Sequence, residues 1–516
     1  MPIFASVSNK GPISDNSQRI ARNAVALYVR MFILMIVSLI TARIVLNALG
    51  AEDRGVYETV ASFVSMMALL TNALSTSVSR FLTVEIAKDD KEALRRVFAT
   101  ANGMLLLICA AVLLVGEPLG IWYIDNVMNL PEGRTEAARW VFQFSLFTFL
   151  VNLLAIPYNA SIFAHERMGV YAVIGLVEGV LKLGVAFALL HAPFDRLIYY
   201  AMLLLAVAVI VRSLYMIYCR RNFPESRAGV RLDRAYVGSI FSFAGWNGLS
   251  QGIYIFNSHG LTQLLNYFFG VVFNTMRGLA LNVENMIKML VTNVTTAINP
   301  QITKSYTSGD YHYCSELVCK GSKYAFLIGF TLSLPFFFEA DSLLHLWLGN
   351  REVPGGTDLF TRLGLVCMLL DITLIPFNTY VQATGKIKRY YLMYSAVTAL
   401  VFPVTWLLYR SGSGASSLYF VFMADYLLLD AMRLLMSGKV YGFPLRVFWK
   451  NTLLPLIPVA LVSIAVTYLV WAAVHEGWWR LVAVLLAGTV SVAISTYAFA
   501  MTAGEKSFVR SKIGLK

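Results

Sequence analysis

Between Phe273 and Tyr306, a stretch apolar enough to cross a membrane carries a polar stripe. Placed on an α-helix, Arg277, Glu284, Lys288, Thr292, Thr295 and Asn299 recur at steps of three, four and seven residues and so share one face, with Leu279, Ile287, Leu290 and Val294 off it. An ionised side chain at bilayer depth costs roughly 2.5 to 3.5 kcal/mol on insertion scales, so this face must look into protein or water. The residue types point to binding. Lys182, Arg277 and Lys288 can hold a ligand phosphate, which a neutral or cationic ligand does not offer, and Thr292 and Asn299 add a hydroxyl and an amide.

The other deep charges are acidic or paired. Glu178 with Lys182, and Glu284 with Lys288, are spaced i,i+4 in the favourable order, so a self-neutralised structural pair competes with a functional one in both cases. Asp371 and Asp425 have no evident partner within their own helices and are protonated, ion-binding or paired across helices. Asp430 and Arg433 lie on the same segment as Asp425. Glu178, Glu284, Asp371 and Asp425 are therefore the candidates for coupling to a proton or sodium ion. Arg30 and Arg43, nearer the ends of the first span, are expected to snorkel to the interface. The six histidines stand singly, and no metal-ligand spacing, phosphate-cradling glycine loop or nucleophile constellation is present. No catalytic residue, metal or cofactor is expected.

These residues are held by membrane helices. Of 516 residues 58% are hydrophobic and 14% charged, and the mean hydropathy is +0.65, a balance that excludes a soluble protein of this size. The chain reads as an all-α polytopic membrane protein with about fourteen spans between residues 24 and 502. The net charge of +13 comes from basic residues in short loops, as the positive-inside rule expects, and not from a nucleic-acid surface. Their bias places both termini in the cytoplasm. The segment 1–23 lacks an apolar core and is not expected to be a signal peptide. The longest external loops, near 117–139 and 339–360, are too short for a catalytic domain, and Trp122, Trp347, Trp478 and Trp479 read as interface anchors. Five scattered cysteines, with Cys314 and Cys319 in a cytoplasmic loop, suggest neither disulfides nor metal.

The chain also repeats itself. Ile156-Pro157-Tyr158-Asn159 recurs as Ile375-Pro376-Phe377-Asn378, Leu46-Asn47 as Leu265-Asn266, and Thr71-Asn72 with Asp89 as Thr292-Asn293 with Asp310. With six spans per copy, the two copies share one orientation and form a parallel repeat. The expected organisation is a cytoplasmic segment 1–23, a first lobe 24–218, a basic linker 219–236, a second lobe 237–437, two extra spans within 452–502 and a cytoplasmic tail 503–516. The seventh span runs long and carries Gly245, Gly248, Gly252 and Gly260 among Asn247, Gln251, Asn257 and His259, which predicts either a bend or close helix packing.

The stretches RIARNAVALYVRMFILMIVSLITARIVLNALGAEDRGVY, SRFLTVEIAKDD, IPYNASIFAHERMGVYA, LLNYFFGVVFNTMRGLA, INPQITKSYTSGD and VQATGKIKRYY resemble the bacterial polysaccharide transporters, the O-antigen and capsule flippases. The resemblance covers the first twelve spans. It implies the fold of the multidrug, oligosaccharidyl-lipid and polysaccharide exporter superfamily, two six-helix lobes around a central cavity. It also implies a cargo, an oligosaccharide linked through pyrophosphate to a polyprenyl lipid, moved outward across the bacterial inner membrane by alternating access. A polymerase and glycosyltransferases of the same pathway are the implied partners. The rivals are a cation-coupled multidrug exporter, which the cationic candidates disfavour, a peptidoglycan-precursor flippase, and a membrane polymerase or ligase, which lacks the external loop it needs.

Overall fold

The structure, a computed structural model, describes residues 13–349, 353–385 and 387–513, so most of the segment 1–23 lies outside it. Helices account for every regular element among these residues. Fourteen long ones follow in order: α1 (13–49), α2 (51–87), α3 (Lys91–Asn126), α4 (Thr135–Ala164), α5 (Met168–Leu189), α6 (Arg196–Asn222), α7 (Arg234–Phe269), α8 (Val271–Thr307), α9 (Tyr311–Leu348), α10 (Thr357–Ala383), α11 (Ile387–Arg410), α12 (Ser417–Lys439), α13 (Leu445–Ala473) and α14 (Trp478–Ala500). A short amphipathic α15 (Ala503–Ile513) comes last. Ten stretches of the described residues are long and apolar enough to cross a membrane, the first running from Arg30 to Met66 through the break that separates α1 from α2. Helices α7, α8 and α12 are long enough, at 36, 37 and 23 residues, but more polar. All fourteen spans read from the sequence fall on α1–α14.

The ends differ from the sequence reading. Residues 117–126, read as external loop, continue α3, and the segment with Cys314 and Cys319, read as a cytoplasmic loop, is the first part of the 38-residue α9. The hydropathy pattern marks only the hydrocarbon-facing part of a helix, whereas the backbone hydrogen-bond ladder runs on into the interface. Helix α7 stays helical from Arg234 to Phe269; the side chains of Asn247 and Gln251 lie outside the described ones.

The repeat is visible in backbone detail. Gly50 (φ 79°, ψ 176°) ends α1 and Gly270 (φ 87°, ψ 179°) ends α7, in a region of conformational space open essentially to glycine alone. Asp90 caps α3 by accepting from the Glu92 and Ala93 amides, and Asp310 caps α9 by accepting from the Tyr313 amide. Immediately before each cap the chain takes a positive φ, at Asp89 (55°) and Gly309 (82°). The match of Asp89 to Asp310 thus shifts by one residue: Asp90 is the counterpart. Pro157 and Pro376 each restart a helix after a turn, at Ala155 and Leu374, and Glu166 (φ 56°) and Gly385 (φ 72°) follow at the same distance.

The chain divides into two compact units, one of residues 1–49 and 60–251, the other of 50–59 and 252–516. Within unit 1, α4 and α5 pack on α6, and the second half of α2 packs on residues 156–164 of α4. Phe98, Phe142, Leu146 and Leu153 are fully buried there. Within unit 2, α8 packs on α9 and α10, and α13 and α14 form a hairpin whose second arm lies on α9. Residues 50–59 join this unit through hydrogen bonds from Gln263 Nε2 to Thr59 O (2.9 Å), Asn274 Nδ2 to Thr59 Oγ1 (2.6 Å) and Thr275 Oγ1 to Ala51 O (2.6 Å). At the start of α15, Thr502 and Glu505 form a capping box, and the Glu505 carboxylate also accepts from Lys323 Nζ (2.7 Å) and Tyr324 OH (2.9 Å) of α9. Burial works against a charge on Glu505, yet hydrogen bonds from Lys323, the Thr502 amide and Tyr324 hold it below the ordinary carboxylate range.

Candidate functional site

Among the described residues, each unit holds a charged cluster that includes candidates read from the sequence. In unit 1 the i,i+4 pair read from the sequence is formed: Lys182 Nζ lies 2.8 Å from Glu178 Oε1 on α5, with the lysine side chain 49% exposed. Arg30 of α1 adds a second cation, its guanidinium 4.5 Å above the Tyr171 ring and pressed against Gly175, where a Cβ would collide with it. It does not simply snorkel to the interface, as its position near a helix end suggested. Arg212 of α6 supplies a third, held by Asn152 Oδ1 at 2.7 Å. Glu178 feels the charges of all three. Three cations around one carboxylate leave an excess of positive charge on membrane helices.

In unit 2 the face of α8 turns inward. Arg277 is 4% exposed, and its Nη1 donates to Ser258 O (3.0 Å) and Thr262 Oγ1 (2.5 Å) of α7. Glu58 lies near it, admitted by Gly278, at which a Cβ would stand 3.1 Å from Glu58 Oε1. Lys288 Nζ donates to Asp371 Oδ2 of α10 at 2.5 Å. Among the ion pairs of the described residues Lys288 thus meets Asp371 of another helix, while Glu284, four residues earlier on its own helix, feels its charge without an ion-pair contact among them. Glu284 instead packs against Gly364 of α10, and its Oε1 is buried with no hydrogen-bond partner among the described residues. Asp425 Oδ1 of α12 is in the same position. About two turns further on α12, Arg433 pairs with Asp430 (3.2 Å) and donates to Tyr390 OH (3.2 Å).

Glu284, Lys288, Asp371, Tyr394 and Asp425 line a cavity of about 90 Å³ together with Arg277. That is room for a few waters or an ion. The lower half of the α8 stripe is also engaged: Thr292 Oγ1 donates to Lys288 O (2.6 Å), Thr295 Oγ1 to Thr292 O (3.0 Å), and Asn299 Oδ1 accepts from Thr379 Oγ1 (2.9 Å). Arg212 and its Asn152 anchor carried no sequence signal beyond a charge near a span end. No group of three or more metal-ligating side chains occurs among the described residues.

No protein-family model matches the chain. The uncharacterized membrane protein EpsK of Bacillus subtilis (strain 168) is 24% identical over 473 residues, covering 88% of this chain and 90% of its own. Among solved structures, the lipid II flippase MurJ in an inward closed conformation superposes with a TM-score of 0.71 at 11% identity, over 93% of this chain and 98% of its own. An inward-facing multidrug resistance MATE family transporter of the MOP superfamily gives 0.57 at 12% identity, over 95% and 98%. The chain has the fold of the MOP-superfamily transporters. At these identities the likeness is one of fold. What the fold contributes here is the scaffold of membrane helices on which both charged clusters are built.

Proposed function

We propose that the protein is a flippase that carries a polyprenyl-pyrophosphate-linked oligosaccharide from the cytoplasmic to the external leaflet, by alternating access, for the synthesis of a surface polysaccharide such as O-antigen, capsule or exopolysaccharide. The observation that carries this reading is the gathering of Arg30, Lys182 and Arg212 around the single carboxylate of Glu178 in unit 1. A pyrophosphate brings the negative charge that such a cluster lacks, and guanidinium and ammonium groups replace its hydration. A cationic drug would be repelled there. The cargo's lipid tail stays in hydrocarbon, so the protein has to shelter only the headgroup, whose unaided crossing is prohibitive. That MurJ is a lipid II flippase supports lipid cargo on this fold.

In this reading Lys182 meets the headgroup directly. Arg277, Lys288, Thr292 and Asn299 are engaged with protein groups and reach it only in a state where those bonds exchange. The small cavity of unit 2 is the coupling site. Glu284 Oε1 and Asp425 Oδ1, without hydrogen-bond partners among the described residues, are what a proton or a sodium ion would satisfy, with Asp371 held by Lys288 beside them and Glu178 as a further candidate acid in unit 1. The protein sits in the inner membrane with both termini in the cytoplasm, beside the glycosyltransferases and polymerase of its pathway.

The test is surface polysaccharide per unit of membrane-inserted protein. Lys182→Ala and Arg212→Ala should each lower it by about tenfold or more, the loss of roughly 1.4 kcal/mol of headgroup stabilisation, while Lys182→Arg keeps part of the activity. Normal export by both alanine variants would remove the unit 1 cluster from the transport path and leave the flippase reading without its main support.

A further inference from the structure

A second cavity of unit 1, a groove of about 410 Å³, opens among α3, α4, α6 and the segment 228–230. Its apolar wall includes Leu106, Leu154, Val209 and Val230, all of them exposed. An exposed apolar trough on membrane helices suits an acyl chain, and the charges beside it select the headgroup. Two guanidinium groups line the groove, Arg212 and Arg220, and no carboxylate does. They stand eight residues apart on α6, about 12 Å along its axis, with Arg220 in the last turn. Asn152 fixes the Arg212 end. The Arg220 carbonyl accepts from Arg227 Nε (2.8 Å), which secures the end of α6, while the Arg220 guanidinium is exposed and makes no hydrogen bond or ion pair among the described residues. Arg221, Arg227 and Arg231 add positive charge at the same end. On the orientation proposed above, which puts this end of α6 on the cytoplasmic side, a basic pocket between membrane helices is the environment that holds anionic lipid.

We propose that this groove binds an anionic glycerophospholipid of the cytoplasmic leaflet, with its phosphate between Arg220 and Arg212 and one acyl chain along Leu106, Leu154 and Val209. The groove shares Arg212 with the cluster read above as holding the cargo, whereas Arg220 and the apolar wall belong to the groove and not to that cluster, and the test is read at those residues. The groove lies between α6, α3 and the segment after α6, beside the point where the Arg231 amide donates to Ala99 O (3.3 Å) and the Asp233 amide to Thr100 Oγ1 (3.3 Å).

The full chain, purified in detergent, is titrated with phosphatidylglycerol, phosphatidylethanolamine, polyprenyl phosphate and inorganic phosphate. Retained lipid is read by native mass spectrometry, and the melting temperature is followed alongside. Phosphatidylglycerol should be retained and should raise the melting temperature where phosphatidylethanolamine and inorganic phosphate do not. Arg220→Ala should weaken its retention by about tenfold, a step of roughly 1.4 kcal/mol, and Arg220→Lys should restore part of it. Leu154→Trp, which fills the trough and leaves both arginines in place, should also expel the lipid. Equal retention of phosphatidylethanolamine, an equal effect of inorganic phosphate, preference for polyprenyl phosphate over phosphatidylglycerol, or unchanged phosphatidylglycerol binding by Arg220→Ala or Leu154→Trp would each overturn the proposal.

Discussion

Lys288 and Asp371 meet at 2.5 Å with side chains 32% and 15% exposed, so each charge is largely removed from water and depends on the other. Breaking such a pair from one side leaves an uncompensated charge and costs about 3 to 5 kcal/mol when burial is complete, whereas removing both members is often neutral. Lys288→Met and Asp371→Asn should therefore each lower the detergent-extracted melting temperature, and the double variant should recover most of the loss. A double-mutant cycle on thermal unfolding reads the coupling directly. Additive single effects would mean that the two groups do not act as a pair. Glu284, one helical turn before Lys288 on the same face, is left to its contact with Gly364 and its partnerless oxygen.

At the level of helices, the two halves of the chain end α1 and α7 in the same way, at Gly50 and Gly270. A Cβ at either position meets its own backbone, which costs on the order of 1 to 3 kcal/mol. Gly50→Ala and Gly270→Ala should both destabilise by about that much. Gly184, in the regular helix α5 with open space around its Cα, offers the contrast: alanine there should stabilise by about 0.5 to 1 kcal/mol. Thermal unfolding of the three variants decides it, and three equal shifts would show that the turns are not under conformational constraint. The capping aspartates Asp90 and Asp310 repeat one turn chemistry at the next junction, so the repeat survives in the residues that force the backbone and fades in those that face lipid.

For the molecule as a whole, an even number of crossings returns the chain to the side from which it started. Basic residues cluster around the start of α1, at the α2–α3 and α6–α7 junctions including the adjoining helix ends, and after α14, which sets the expected orientation. Reporter fusions after Asp89, Arg227 and Gly309 should report cytoplasm, and fusions after Glu132, Pro354 and Ser413 the outside. A cytoplasmic signal from Pro354 would put the second half in the wrong register and remove the fourteen-span topology.

Whatever depends on neighbours along one helix was legible in the residues themselves. Hydropathy marked the spans because lipid demands about 20 apolar residues per crossing, and i,i+4 spacing marked Glu178 with Lys182 because helix geometry alone brings those positions together. The Ile-Pro-aromatic-Asn motif marked the repeat in part because its proline constrains the backbone wherever it stands, while the glycine turns at Gly50 and Gly270 emerged only from the structure. What lay beyond the sequence was the choice among partners on different helices. Lys288 has Glu284 four residues away and takes Asp371 eighty-three residues on, Arg212 is held by Asn152 sixty residues earlier, and Arg30 lies over Tyr171. Such contacts depend on how each helix is rotated against its neighbours. Successive residues differ by about 100° around the axis, so a shift of one position carries a side chain to another face, and only the packing of the assembled helices decides which face meets which.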